Sequence, residues 1–173
     1  MIISDHQLWL LAQRGLVSPF IEENLQGSSI DLTLGDKIKV ETSDGENLWV
    51  EMELQEASYM LAPGEFILAH TEETVHIPED CSAMMLLRSS AARAGYEHSL
   101  AGWCDPSFKG QLVCEIRNNL RYHSLPIRPG MRLLQLVLHQ LDAPARQLYG
   151  ERGSYQHQTG PTASNHKFQR IAS

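Results

Sequence analysis

The chain contains 173 residues, of which 42% are hydrophobic, and its formal net charge at pH 7 is -7. This length can bury a substantial core, yet it is short enough that one compact domain is the expectation. The negative charge argues against general binding to nucleic acid or to anionic membranes, because such binding rests on basic residues. We therefore expect neither partner, and any phosphate site must be local.

The N-terminal segment predicts a short helix. Ser4 and Gln7 have the spacing of a capping box, and "DHQLWLLAQRG" places apolar residues on one face before Gly15. No apolar run approaches the length of a membrane span. The three cysteines are odd in number and lie in separate apolar runs, so we expect reduced core thiols and a cytoplasmic protein.

Beyond this helix the sequence changes to short alternating runs separated by Gly, Pro, Asn and Asp. The runs are "IDLTLGDKIKVE", "FILAHTEE", "CSAMMLLR", "QLVCEIRN" and "RLLQLVLHQL". They recur too densely for repeated βαβ units, so we predict a mostly β fold, either a sandwich or a distorted barrel. Residues 1–150 are assigned to this domain, and residues 151–173, poor in apolar residues, to a flexible C-terminal tail.

The stretch "MMLLRSSAARAG" joins an apolar strand to a short helix that begins near Ser89 or Ser90 and ends at Gly95. A helix start offers unpaired backbone N–H groups, which here adjoin two hydroxyls and the guanidinium of Arg88. Arg88 and Arg93 can add charge-assisted bonds to phosphate oxygens. The stretch fits a phosphate site, but it equally fits an ordinary surface helix capped by serine.

A second polar segment, "HSLAGWCDPSFKGQLVCEIRNN", combines a turn opened by Asp105 with a following strand. The period of two puts Cys114 on the apolar face and Glu115, like Arg117, on the opposite face. Spacing alone leaves two interpretations open, because Glu115 and Arg117 also fit a solvated pair and Asp105 an ordinary turn residue.

Taken together, these segments resemble the deoxycytidine triphosphate (dCTP) deaminase branch of the dUTPase superfamily. The likeness covers most of the chain and rests on motifs that occur in the family's order. They are "SSIDLTLGD", "RSSAARAG", "AGWCDPSFKGQLVCEIRN", "RPGMRLLQLVL" and "YQHQTGPTAS". Each motif is weak by itself, whereas the five in register are specific.

The resemblance implies a homotrimer of dUTPase-like β-clip subunits, with a short N-terminal helix, one short internal helix and active sites at subunit boundaries. It also implies zinc-independent deamination, in which Glu115 activates a water for attack at C4 of cytosine. Ser89, Arg93 and the backbone carbonyl of Ala101 surround that water in this scheme. Mg²⁺ would arrive on the triphosphate.

The resemblance implies different residues for different parts of the nucleotide. Asp105 corresponds to the residue that meets the deoxyribose 3′-hydroxyl, and the tail closes over the site. The full set implied for the substrate is Arg88, Ser89, Ser90, Arg93, Asp105, Val113, Gln135, Tyr149 and Gln158.

Zinc deaminases instead combine His-x-Glu with Pro-Cys-x-x-Cys. His70-Thr71-Glu72 supplies the first half, but the sequence contains no Cys-x-x-Cys. We therefore interpret His70 as a strand residue and expect no protein metal site among the scattered histidines.

The chain departs from the family pattern at Leu100, where threonine is usual, and at Ser154, where lysine is usual. The missing lysine removes a positive charge that Arg152 or Lys167 would have to replace. Leu100 leaves a 5-substituted cytosine nucleotide open as the substrate. Gly102-Trp103 resembles family members that also cleave the triphosphate to deoxyuridine monophosphate (dUMP) and pyrophosphate. A bifunctional enzyme, a plain dUTPase and a non-catalytic nucleotide-binding regulatory trimer therefore stay open as alternatives.

Overall fold

A computed structural model describes residues 1–43, 48–55, 58–99 and 101–165. Within these ranges the chain is mostly β, as predicted. The helices are α1 Asp5–Ala12, α2 Ser89–Ala94 and α3 Tyr149–Arg152, with a 3-10 turn at Glu22–Asn24. The strands are β1 Val17–Ser18, β2 Leu25–Gln26, β3 Ser29–Glu41, β4 Trp49–Glu53, β5 Tyr59–Leu61, β6 Phe66–His76, β7 Cys81–Leu87, β8 Tyr96–His98, β9 Trp103–Cys104, β10 Lys109–Asn118, β11 Leu125–Ile127 and β12 Arg132–Gln140.

The main sheet curls into an open half-barrel. Its path runs β8, β10, β6, β3, β12, β7 and β9, while β1 pairs with β6, and β2 and β4 pair with β3. Strands β5 and β11 form a separate two-stranded sheet. Strand β10 lies in the interior of the main sheet, because β8 flanks it on one side and β6 on the other. The predicted distorted barrel is confirmed.

The long strand β3 connects the two halves of the curled sheet. Its first half pairs with β2 and β12, and its second half pairs with β4 and β6. The register with β6 shifts between Leu34 and Ile38, an irregularity that bends the strand. Both residues are fully buried, so β3 carries the core across the bend.

The core follows the periodicity read from the sequence. Each of the five predicted runs overlaps one of the strands β3, β6, β7, β10 and β12 over most of its length. On β10 the residues Leu112, Cys114 and Ile116 are buried, as the period of two predicts. All three cysteines are buried and unpaired, which confirms their assignment as core thiols.

The helices differ from the prediction in detail. Helix α1 occupies the predicted segment, with Ser4 at the N-cap, but the Ser4 side chain makes no capping hydrogen bond, so the capping box was wrong. Helix α2 ends at Gly95, whose φ of 104° favours glycine. Arg88 occupies its N-cap position, so serine capping was wrong as well. Helix α3 was not predicted, because its four residues carry no helical period.

The tail packs back on the domain through backbone hydrogen bonds. The N–H of Gln111 donates to the carbonyl of Gln158 at 3.0 Å, and the Gln158 side chain donates to the carbonyl of Gln111 at 2.8 Å. The structure describes the tail up to Asn165. The flexibility of the tail stays a prediction. Within the described ranges, no helix combines the length and apolar character that a membrane span requires.

Candidate active site

A cavity of about 490 Å³ lies between the strand face of β10 and the tail. We call it the carboxylate cavity, because Glu115 is among its lining residues. The predicted site residues that line it are Ala101, Asp105, Val113, Glu115, Tyr149 and Gln158. The structure therefore brings together the residues predicted for the base, the sugar and the closing tail.

Glu115 projects from the face of β10 opposite the core. Its side chain is 26% exposed, and its Oε2 atom is buried without a hydrogen-bond partner among the described residues. Burial raises the pKa of the Glu115 carboxyl above its ordinary value. The interpretation as one half of a solvated surface pair was therefore wrong: the carboxylate belongs to a cavity wall.

His98 lies against Glu115 and was not predicted. Its Nδ1–H donates to the backbone carbonyl of Glu115 at 3.3 Å, and the same nitrogen is 3.8 Å from Oε2 of Glu115. Burial lowers the pKa of His98, so the imidazole is neutral at neutral pH and the contact is not an ion pair. Sequence reasoning missed it because His98 lies on β8, and only the register with β10 brings it beside Glu115.

The loop after β8 presents Ala101 to the cavity. The N–H of Ala101 donates to the carbonyl of Ser99 at 2.7 Å, and the N–H of Met85 donates to the carbonyl of Gly102 at 2.7 Å. A Cβ on Gly102 would lie 2.1 Å from the carbonyl oxygen of Met85, so only glycine fits this approach. Leu100, which precedes Ala101, lies outside the described residues.

Asp105, Tyr149 and Gln158 lie at the tail end of the cavity. The indole N–H of Trp103 donates to Oδ1 of Asp105 at 3.1 Å. The Tyr149 ring packs edge-on against Phe108, and its hydroxyl accepts from the N–H of Tyr155 at 3.1 Å. Asp105 thus has a fixed orientation beyond that of an ordinary turn residue.

A smaller cavity of about 290 Å³ adjoins this end and includes Asp105, Tyr149 and Arg152. Arg152 therefore lies near Asp105 and Tyr149. The resemblance places the missing lysine charge at the phosphate end, so its replacement by Arg152 stays a prediction. The other suggested replacement, Lys167, lies outside the described residues.

The remaining predicted residues form a separate group, which we call the arginine–serine corner: Arg88, Ser89, Ser90, Arg93 and Gln135. Ser89, Ser90 and Arg93 are exposed on α2. The Gln135 side chain donates to the carbonyl of Leu87, directly before Arg88, at 3.4 Å. Among the described residues that line the carboxylate cavity, none belongs to this corner.

Asp31 anchors the arginine–serine corner and had no predicted role. Its side chain is 1% exposed, and its Oδ1 lies 3.2 Å from Nε of Arg88. Burial raises the pKa of Asp31, while the charges of Arg88 and Arg132 oppose that shift. The sequence feature that could have identified Asp31 is its position as a carboxylate between the apolar residues of the motif "SSIDLTLGD".

His70 is held by the backbone of its own sheet. Its Nε2 accepts from the N–H of Lys37 at 3.3 Å, and its Nδ1–H donates to the carbonyl of Thr71 at 2.9 Å. Both ring nitrogens are thus engaged within strands, which confirms His70 as a strand residue. Over the described ranges, no group of three or more His, Cys, Asp and Glu residues could hold a metal ion.

Comparison with known proteins gives the class to which this site belongs. A sequence profile described as dCTP deaminase-like matches residues 2–141. The dCTP deaminase, dUMP-forming, of Dictyoglomus thermophilum is 36% identical over 95% of this chain and 94% of its own length. The dCTP deaminase of Haloarcula marismortui is 37% identical over the same shares of the two chains.

The solved structures agree on the fold. The 2′-deoxycytidine 5′-triphosphate deaminase of Agrobacterium tumefaciens aligns with a TM-score of 0.68 and 21% identity. The alignment covers 80% of this chain and 47% of the other, so this chain spans about half the length of that protein. The profile match and these relatives show the family. The chain belongs to the dCTP deaminase-like family.

The close approach at Gly102 generates a prediction about stability. Gly102→Ala forces its Cβ against the carbonyl of Met85, so we expect the variant to be destabilised by about 1–3 kcal/mol. Urea denaturation measures the loss. Gly27→Ala is the matched control, because no atom lies within 4 Å of a Cβ at Gly27. Equal stability of the two variants would contradict the packing described for the Ala101 loop.

Proposed function

We propose that the protein deaminates dCTP to the deoxyuridine nucleotide. The observation that carries the proposal is Glu115, a carboxylate with a raised pKa in the wall of a cavity of ligand size. A pKa moved toward neutral pH suits a group that must both accept and return a proton. The relatives of 36–38% identity, all named as dCTP deaminases, support the same substrate.

In the proposed mechanism, a water attacks C4 of cytosine while Glu115 accepts its proton. One proton of the water ends on N3, and Glu115 delivers the other to the exocyclic nitrogen, so that the C4–N bond breaks and ammonia leaves. The backbone carbonyl of Ala101 orients the water and the amino group from the β8 side of Glu115. His98 donates a hydrogen bond to the backbone carbonyl of Glu115. Because its imidazole is neutral, it does not compensate the negative charge of the Glu115 carboxylate.

The nucleotide's sugar is proposed to lie at the tail end of the cavity, where Asp105 meets the 3′-hydroxyl. Val113 borders the base from β10, and Tyr149 and Gln158 close over it. The proposed triphosphate ligands belong to the arginine–serine corner, which does not line the same cavity of the same chain. We therefore propose a homotrimer in which the corner of one subunit completes the cavity of its neighbour, bringing Ser89 and Arg93 to the reacting water.

The side chains of the arginine–serine corner suit a substrate that carries Mg²⁺ on its phosphates. The arginine–serine corner offers guanidinium and hydroxyl groups, which bind phosphate oxygens, and the phosphates in turn hold the ion. Burial raises the pKa of Cys81 and of Cys104 to about 12, so both are protonated core thiols. Neither belongs to a group of metal-ligating side chains among the described residues. Three unpaired thiols also fit a cytoplasmic location.

A second candidate is the bifunctional reaction that ends in dUMP. The relative from Dictyoglomus thermophilum is named dUMP-forming, and Gly102-Trp103 resembles the bifunctional members. The Trp103 indole orients Asp105, as placing a second water would require. Incubation of the protein with dCTP separates the cases: a deoxyuridine triphosphate product means deamination alone, and dUMP with pyrophosphate means both steps.

Glu115→Gln tests the catalytic role directly. Because glutamine cannot accept the proton, we expect kcat to fall by about 10²–10⁴ while the Kd for dCTP changes little. Glu72→Gln is the matched control, since Glu72 is exposed on the neighbouring strand β6. Unchanged turnover in Glu115→Gln would eliminate the proton-transfer role, and binding of dCTP without turnover by the unmodified protein would favour the regulatory trimer.

The raised pKa of Glu115 also predicts two pH dependences. Glu115 must be ionised to accept a proton, so the acid limb of kcat/KM should inflect above the ordinary glutamate pKa. The folded state binds this proton more tightly than the unfolded state, so stability falls as pH rises through the interval between the two pKa values. Glu115→Gln should therefore be more stable than the unmodified protein at neutral pH, and the difference should close in acid. A gap that stays constant with pH would show that Glu115 is not perturbed.

The shared site predicts complementation between two inactive variants. Glu115→Gln and Arg93→Ala each disable one contribution, but a mixed trimer contains some sites with both residues intact. Random mixing by refolding together should restore about one quarter of the unmodified activity. Refolding each variant separately before mixing is the control. Absence of recovery in the mixed sample would mean that one subunit supplies both residues.

A further inference from the structure

The carboxylate cavity continues past Glu115 to an apolar wall. Leu68 is the direct partner of Glu115 across β6 and β10, so their side chains share a face of the sheet. Leu48 and Trp49 extend the lining on the same side, and the Trp49 ring packs against Phe66 at 5.9 Å between centroids. We call Leu48, Trp49 and Leu68 the apolar wall.

The two sides of Glu115 therefore differ in chemistry. On the β8 side lies the Ala101 loop, whose backbone offers polar groups. On the β6 side lies the apolar wall. Since β10 runs between β8 and β6, a ring placed at Glu115 has one edge toward each side.

Cytosine itself has two unlike edges. One edge carries O2, N3 and the exocyclic nitrogen, and the other carries only C5 and C6. With the sugar at Asp105 and C4 at Glu115, the ring has two orientations that exchange these edges. Burying the polar edge against Leu68 and Trp49 would leave it without partners, which is costly. The favoured orientation puts the polar edge toward Ala101 and the C5 edge toward the apolar wall.

We propose that this wall receives a substituent on C5, so that 5-methyl-dCTP is a substrate at least as good as dCTP. The inference deepens the proposed function and rests on it. Removing one methyl group from water into apolar surroundings is worth about fourfold in binding. Leu48, Trp49 and Leu68 supply those surroundings beside the reacting carbon.

The reaction balances without any additional reactant. Water supplies the oxygen that becomes the C4 carbonyl, one of its protons ends on N3, and Glu115 passes the other to the exocyclic nitrogen. The C4–N bond then breaks and ammonia leaves. The methyl group and C5 keep their bonds, and no oxidant or reductant is consumed. The product of 5-methyl-dCTP is thymidine triphosphate, or thymidine monophosphate with pyrophosphate if the triphosphate is also cleaved.

The test is the ratio of kcat/KM for 5-methyl-dCTP to kcat/KM for dCTP, measured by ammonia release. We expect a ratio of one or more in the unmodified protein. Trp49→Ala removes part of the wall and should lower the ratio by about threefold. Leu68→Phe fills the space and should lower it by about tenfold or more. Trp9→Ala is the matched control, since Trp9 lies on α1 and is not among the described residues that line the cavity, so the ratio should stay unchanged.

The outcomes separate the inference from the proposed function. If neither nucleotide releases ammonia, the proposed function has failed. If dCTP is deaminated and the ratio is below one, the inference is overturned while the function stands. An unchanged ratio in both Trp49→Ala and Leu68→Phe, with dCTP still turned over, also overturns it, because the wall would then not meet C5.

Discussion

The site depends on one constraint, a carboxylate placed on the non-core face of an interior strand. Because β10 has β8 on one side and β6 on the other, Glu115 cannot turn to a sheet edge for solvent. Its Oε2 stays buried 3.8 Å from neutral His98, so a backbone hydrogen bond offsets the desolvation only in part. The raised pKa follows from this position in the sheet, and the proton transfer proposed for Glu115 follows from the pKa.

The arginine–serine corner, which we propose as the second half of the site, instead pairs a cationic side chain with a buried carboxylate. At the arginine–serine corner, buried Asp31 holds the Nε side of Arg88 at 3.2 Å, and the carbonyl of Arg132 accepts from its Nη1 at 3.2 Å. These contacts reduce the freedom of a long side chain before any ligand arrives. The chain has a net charge of -7, but a guanidinium that is held in place can still attract an anion at this one position.

The features that could be predicted from the sequence depend on the local hydrophobic period and on the glycine, proline, asparagine and aspartate residues that separate the segments. The strand runs, the end of α2 at Gly95 and the face of Glu115 were all readable because each follows from residues within one segment. The contacts of Glu115 with His98 and Leu68 were not, since they depend on which strands flank β10 and in what register. The resemblance predicted which residues belong to the site. The polar side, the apolar wall and the contact of Asp31 with Arg88 could be identified only from the structure.

Gly102 and Trp103 link two parts of the site that sequence distance alone would separate. The carbonyl of Gly102 accepts from the N–H of Met85 in a close approach that only glycine allows, which fixes the loop that carries Ala101. The next residue, Trp103, donates to Asp105 and so orients the carboxylate at the sugar end. A shift of this dipeptide moves both positions together. In the proposed site, one short segment therefore positions both the group assigned to the base and the group assigned to the sugar.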